Sequence, residues 1–204
     1  VPNGVPDNFI PTDNHHEAAV DYIAGKYDVR DFILCVSRVE PRKNQALLLQ
    51  TYLDMALYRK NISLVFVGGV SIKDAEFNRA WREIPSCAEK YIKHIHAVSQ
   101  SDLRQLYRAA RLFVYPSKAE GFGIPPLEAA ALSTTVLCSS STAMSAYTFF
   151  GKNLFDPANE AEFRQKLETA LFSTCRPELD ELAEKVRKSY SWTDSAQYLW
   201  RCIE

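Results

Sequence analysis

Four short apolar runs, each followed by a helical pattern, restrict the folds open to this chain more than any other feature. Phe32–Ser37, Ile62–Val67, Leu112–Tyr115 and Thr135–Cys138 show no alternation of apolar and polar residues. A strand with one face in water alternates. A strand without alternation is covered on both faces, as in a parallel sheet between two layers of helices. Helical patterns separate the runs, from Asn44 to about Tyr58, Ile72 to Ile84, Ser99 through Ala109 and Pro125 to Leu132. A shorter strand is expected near Tyr91–Ile95, and amphipathic helices near 158–172, 177–189 and 192–203 close the chain. His15 and His16 read as surface residues of a polar helix start before the first strand. The expected fold class is α/β, a Rossmann-like parallel sheet covered by helices on both faces.

Composition adds limits rather than detail. With 204 residues, 47% hydrophobic and 24% charged, the chain is long enough for one domain with a substantial core. A formal net charge of −1 argues against a broad nucleic-acid surface, so no nucleic-acid partner is expected. No apolar run approaches the roughly 20 residues of a membrane span. Cys35, Cys87, Cys138, Cys175 and Cys202 are scattered, without a Cys-x-x-Cys pair. They read as reduced thiols of a cytoplasmic protein, Cys35 and Cys138 in buried strands, and no metal site is expected. Val1–Pro11 lacks a starting Met and is rich in turn formers, like an interdomain linker. Residues 1–14 are therefore expected to be a linker, 15–190 the Rossmann-like domain and 191–204 a C-terminal helix of a longer polypeptide.

In such sheets ligands sit beyond the carboxyl ends of the strands, and the unusual residues of this chain collect there. The segment Tyr115–Glu128 places Glu120 and Glu128 on either side of Gly121-Phe122-Gly123 and the pair Pro125-Pro126. Prolines suit the first turn of a helix. A strand, a glycine loop and a helix start in that order favour an anion, which the N–H groups of Gly121 and Gly123 would face. The eight-residue spacing alone says little, because Glu160 and Glu168 share it on an ordinary amphipathic helix. Ser37–Lys43 brings Arg38, Arg42 and Lys43 to the end of the first run. These cations suit a diphosphate; the competing reading is a solvated loop with Glu40 neutralising one of them. Glu128, expected in the first turn of its helix, suits a vicinal diol or else pairs with the helix dipole. Glu120 suits sugar hydroxyls or a reacting centre. Gly68-Gly69 marks a close backbone approach or a plain turn, and His94 and His96 flank a strand end at the same rim. Trp81, Tyr107, Trp192 and Trp200 read as core or interface residues.

Together these residues resemble the donor-binding, C-terminal half of retaining glycosyltransferases of the GT-B fold, specifically family four. The resemblance rests on Pro2–Val5, Val36–Asn44, Leu64–Gly69, Leu106–Ser117 running into Glu120–Glu128, Leu154–Pro157 and Tyr190–Thr193. It implies a nucleotide-diphosphate-sugar site. Arg38 and Lys43 resemble the pair that clamps the diphosphate, and Glu120 the carboxylate near the transferred sugar. Gly121, Phe122, Gly123 and Ile124 resemble the backbone around sugar and phosphate, and Glu128 the ribose-binding glutamate. Gly68 and His96 fall at the nucleotide. The implied chemistry is transfer with retention through an oxocarbenium-like transition state, from a GDP- or UDP-linked donor, without metal or other cofactor. The Glu-Pro-Arg-Lys-Asn loop is most similar to mannosyltransferases of surface polysaccharide assembly.

The chain departs from the family at Ser37, at Leu132–Val136 and at His96-Ala97, where glycines or a proline are usual. The resemblance implies a further partner, an N-terminal acceptor-binding half, through which the enzyme would associate peripherally with the membrane. This chain alone is expected to be inactive. Two other readings stay open: a phosphorylase or epimerase of the same fold, and a non-catalytic nucleotide-binding or interaction module.

Overall fold

The computed structural model describes residues 3–6, 9, 16–172 and 176–203. Helix α1 (His16–Tyr27) precedes strand β1 (Phe32–Val36), and α2 (Gln45–Asp54) leads to β2 (Ser63–Val67). Helices α3 (Ala75–Arg82) and α4 (Ser86–Glu89) precede β3 (Ile92–Ile95); α5 (Gln100–Ala109) precedes β4 (Leu112–Tyr115); α6 (Ile124–Ala131) precedes β5 (Val136–Ser139). The short β6 (Leu154–Phe155) and helices α7 (Glu160–Phe172), α8 (Arg176–Ser189) and α9 (Trp192–Ile203) complete the order.

All six strands are parallel, in the spatial order β3-β2-β1-β4-β5-β6. The missing alternation has the expected cause. In β1, Phe32 and Leu34 pack with α1, α5, α6 and α8 residues such as Ile23, Leu106, Leu127 and Val186. Ile33 and Cys35 face the other way, onto α2, α3 and α7 residues such as Leu48, Phe77 and Phe163. Each fully buried side chain of this size contributes about 1.5–3 kcal/mol. Burial also pushes the Cys35 thiol up to about 12, so it packs as a small apolar group.

Helix ends follow local chemistry. The Asp74 carboxylate accepts from the N–H groups of Glu76 and Phe77 at the start of α3, and Ser99 Oγ from that of Asp102 at the start of α5. The helix expected over Ile72–Ile84 is thus shorter, because Asp74 caps it. The helix expected to run to Tyr58 stops at Asp54, because Ala56 turns left-handed (φ 47°) before a 3₁₀ turn at Leu57–Lys60. The departure at Leu132–Val136 ends α6 through Ser133, also left-handed (φ 56°), while Thr134 Oγ1 donates to the Tyr107 carbonyl.

Of the expected linker, Val5 N–H donates to the Tyr190 carbonyl, and Gly4 lies so close that a Cβ would meet Trp192 N at 2.3 Å. Pro2, His15 and Cys175 lie outside the described residues. His16 is not simply a surface residue: its Nδ1 bonds the Arg108 carbonyl at 2.6 Å, tying α1 to α5. Trp81 packs at the core edge against Phe66 and Phe77, whereas Trp192 and Trp200 are 43% and 65% exposed on α9, outside the core. No described helix is long and apolar enough to cross a membrane.

Candidate active site at the strand-order reversal

The strand order reverses between β1 and β4. From β1 the chain winds outward through β2 and β3, then returns to place β4 on the other side of β1. The loops leaving neighbouring strands in opposite directions open a crevice there. The loop after β1 carries Arg38, Arg42 and Lys43; the loop after β4 carries Glu120 to Gly123.

Pro41 starts a 3₁₀ turn over Pro41–Lys43, and Asn44 (φ 57°) reverses the chain before α2, which begins at Gln45 rather than Asn44. The Arg42 carbonyl accepts from Lys118 N–H at 2.7 Å, joining the two loops, while Ser117 Oγ lies 3.0 Å from the same carbonyl with its one proton turned to Glu120. The side chains then converge on Glu120. Lys43 Nζ lies 2.5 Å from Glu120 Oε1, Ser117 Oγ donates to the same oxygen at 2.6 Å, and Tyr115 OH donates at 2.9 Å. Arg42 Nη1 donates to Oε2 at 2.9 Å. Arg42 Nη2 also stands 2.6 Å from Glu40 Oε1, off the line of a hydrogen bond, so this contact is an ion pair only. Burial alone would raise the Glu120 carboxyl; hydrogen bonds from Lys43 and Ser117, then the Lys43 charge and Tyr115, outweigh it and hold the group below its usual range.

The other predicted residues are distributed around this cluster. The Arg38 side chain is exposed and has no ion pair or hydrogen bond among the described residues. Gly123 (φ 83°) precedes α6, and a Cβ there would meet Met144 Cγ at 3.0 Å; at Gly121 it would meet open space. Neither glycine's N–H is bonded among the described residues. The Phe122 ring points into an aromatic group with Tyr147 and Tyr190, and its carbonyl accepts from Tyr147 OH. Ile124 opens α6.

Glu128 lies one residue further into α6 than expected, just past the first turn, because the helix begins at Ile124 rather than Pro125; its Oε2 accepts from Tyr107 OH at 2.9 Å. Burial raises the Glu128 carboxyl and Tyr107 only partly offsets this. The two glutamates of the segment share no contact.

Gly68 (φ 135°) explains itself: a Cβ would meet the Ser37 carbonyl oxygen at 2.3 Å. His94 Nε2 donates to the Gly68 carbonyl at 2.7 Å and its ring lies tilted by 36° against exposed His96, centroids 4.6 Å apart. Burial lowers the His94 pKa; the Gly68 bond opposes this and the neighbouring His96 adds to it. Ser37, a departure from the family, is held by Gln45 Nε2, which bonds Ser37 Oγ at 2.7 Å and the Arg38 carbonyl at 2.9 Å.

Sequence reasoning missed Tyr115, Ser117 and Gln45 as residues of this candidate site; Tyr107, read as core or interface, is buried in the core and its hydroxyl also reaches Glu128. The signal for Tyr115 was available, since a hydroxyl at the end of a buried strand needs a partner. Among the described residues no group of three or more His, Cys, Asp or Glu side chains could hold a metal ion.

In sequence the chain is 29% identical over 192 residues to the serotype-specific mannosyltransferase WbdA of Escherichia coli, covering 90% of this chain and 23% of that protein. It is 36% identical over 115 residues to the O-antigen chain mannosyltransferase B of Escherichia coli, covering 55% and 29%. In structure it superposes on the C-terminal domain of a glycosyl transferase group 1 family protein (LpcC) from Francisella tularensis with a TM-score of 0.70 at 20% identity, covering 91% of this chain and 95% of that one. Anabaena Alr3699/HepE in complex with UDP superposes with a TM-score of 0.81 at 18% identity, covering 98% and 55%. The chain thus spans under a quarter of the WbdA protein. The model of the family described as glycosyl transferases group 1 matches residues 21–189, and the chain belongs to that family.

Proposed function

We propose that this chain is the nucleotide-sugar-binding part of a retaining hexosyltransferase, with a GDP- or UDP-linked hexose as donor and a polysaccharide or glycoconjugate as acceptor. The carrying observation is the Lys43–Glu120 pair at the strand-order reversal, flanked by unpaired Arg38 and by the unbonded N–H groups of Gly121 and Gly123. In this reading Lys43 and Arg38 take the diphosphate and stabilise the leaving nucleotide's charge without a metal. The N-terminus of α6 adds its dipole. Glu120, kept ionised, accepts from sugar hydroxyls and stabilises positive charge on the transferred ring. Glu128 accepts from the ribose diol, and Gly68 and His96 border the base. Mannose is the proposed sugar, on the names of WbdA and the O-antigen chain mannosyltransferase B.

Transfer in this reading needs an acceptor-binding half packed over the crevice, carrying any peripheral membrane contact, and takes place in the cytoplasm. Calorimetric titration with GDP, UDP and ADP tests the donor site. One nucleotide is expected to bind, with affinity weakened strongly but still measurable in Lys43→Ala and reduced less in Glu128→Ala. Nucleotide binding that both substitutions leave unchanged would overturn the assignment.

A further inference from the structure

Three polar groups from different places meet at the Tyr115 hydroxyl. It donates to Glu120 Oε1 at 2.9 Å and accepts from Lys43 Nζ at 2.9 Å, and Lys43 Nζ itself reaches the same carboxylate oxygen. The directions of these bonds are forced. An ammonium has no lone pair, an ionised carboxylate has no proton, and a phenol has one proton to give. Lys43 therefore donates to Tyr115, and Tyr115 to Glu120. The phenol is held rigidly: Tyr115 is 2% exposed, its ring stacks on Phe113 with planes 21° apart, and its backbone is paired with Cys138 in the sheet. Lys43, on a flexible stem, has its ammonium oriented by a group fixed in the core. Two of its three protons are committed and one remains.

We infer that Tyr115 is a positioning residue of the donor site: its hydroxyl aims the Lys43 ammonium so that the remaining N–H meets a diphosphate, and helps keep Glu120 ionised. The inference rests on the nucleotide-sugar reading above for the identity of the diphosphate. The bland account of the hydroxyl is a buried polar group that has found partners. The two accounts differ in whether the hydroxyl matters to the ligand through Lys43.

Tyr115→Phe removes the hydroxyl and little else. With GDP as the probe, its affinity is expected to fall about tenfold, the usual worth of a hydrogen bond to a charged group. In a Lys43→Ala background the same change is expected to weaken GDP binding less than about twofold, because the tyrosine then has nothing to aim. Isotope-edited NMR of the glutamate carboxyls, with Glu120 assigned through Glu120→Gln, should show the Glu120 midpoint rising in Tyr115→Phe. Replacing Tyr115 by 3-fluorotyrosine, a better donor of the same shape, should lower that midpoint and keeps the question open to test if the phenylalanine variant folds poorly. An unmoved midpoint, or the same loss of GDP affinity with and without Lys43, would overturn the proposal. If the unmodified protein binds UDP rather than GDP, the same cycle is run with UDP; if it binds neither, the nucleotide reading falls, and the Glu120 midpoint alone decides whether Tyr115 acts on the carboxylate.

Discussion

Glu120 and Glu128 stand at the two ends of one short segment, yet the fold treats them in opposite ways. Glu120 has four donors on its two oxygens, two of them cationic, and is held ionised. Glu128 has one neutral donor, Tyr107, and burial biases it toward its protonated form. They are the same residue type, eight positions apart. What differs is that Glu120 sits where two loops from neighbouring strands meet, whereas Glu128 projects from the flank of α6 beside α5. Environment decides which carboxylate carries charge and which resists it.

The largest test of this contrast is Lys43→Met. Both partners are buried, with side chains 10% and 8% exposed, so removing the cation leaves Glu120 charged and poorly compensated. Urea denaturation should show a loss of about 3 kcal/mol, together with strongly weakened nucleotide binding. Glu128→Gln should cost under about 1 kcal/mol at neutral pH, since it removes a charge the site disfavours. Equal losses in the two variants would break the comparison.

The loop between the two carboxylates should be as uneven as its ends. Gly123→Ala must adopt a left-handed backbone and press on Met144, at a cost of about 1–2 kcal/mol. Gly121→Ala meets open space and should stay within about 0.5 kcal/mol by the same denaturation assay.

The smallest effect is in the pH dependence, where the two groups have opposite signs. The folded Glu120 carboxyl lies below its unfolded value of about 4.3. Its stabilisation is therefore full above that value and lost as pH falls through the lower, folded one. The folded Glu128 carboxyl lies above its unfolded value, so its ionisation erodes stability as pH rises from about 4.3 through its raised, folded value. Denaturation series should show that Glu120→Gln flattens the acid limb, while Glu128→Gln removes the decline on the neutral side. A series unchanged by either substitution would mean that neither carboxyl is shifted.

Much of the fold could be read from the chain. The runs that became β1, β2, β4 and β5 lacked alternation because helices cover both faces, and Ser99 announced its helix through its own capping chemistry. The decoy pair was also legible, for Glu160 and Glu168 are exposed on α7. Harder to read were β6, only two residues long, and the turns over 142–153 that present Thr142 and Met144 to the Glu120 loop. Neither has a period that a pattern can register.

The candidate site residues could be singled out in the sequence for a different reason than their arrangement. Arg38, Lys43, Glu120 and Glu128 stood out because charges, glycines and prolines beside buried strands serve no packing purpose. Lys43 and Glu120 are 77 positions apart, and nothing local says that they touch. Their contact exists because the fourth strand returns to the open side of the first, a choice made by the packing of whole layers. Arg42 shows the same limit, since its ion pair with Glu40 was foreseeable from neighbouring positions and its bond to Glu120 was not. Sequence alone determined the alternating elements, the two-sided burial and the loops that hold chemistry, because these follow from local period and residue type. Tertiary structure alone decided which loops meet, which carboxyl is held below and which above its usual range, and that a core tyrosine bridges Lys43 and Glu120, because desolvation and pairing depend on neighbours far along the chain.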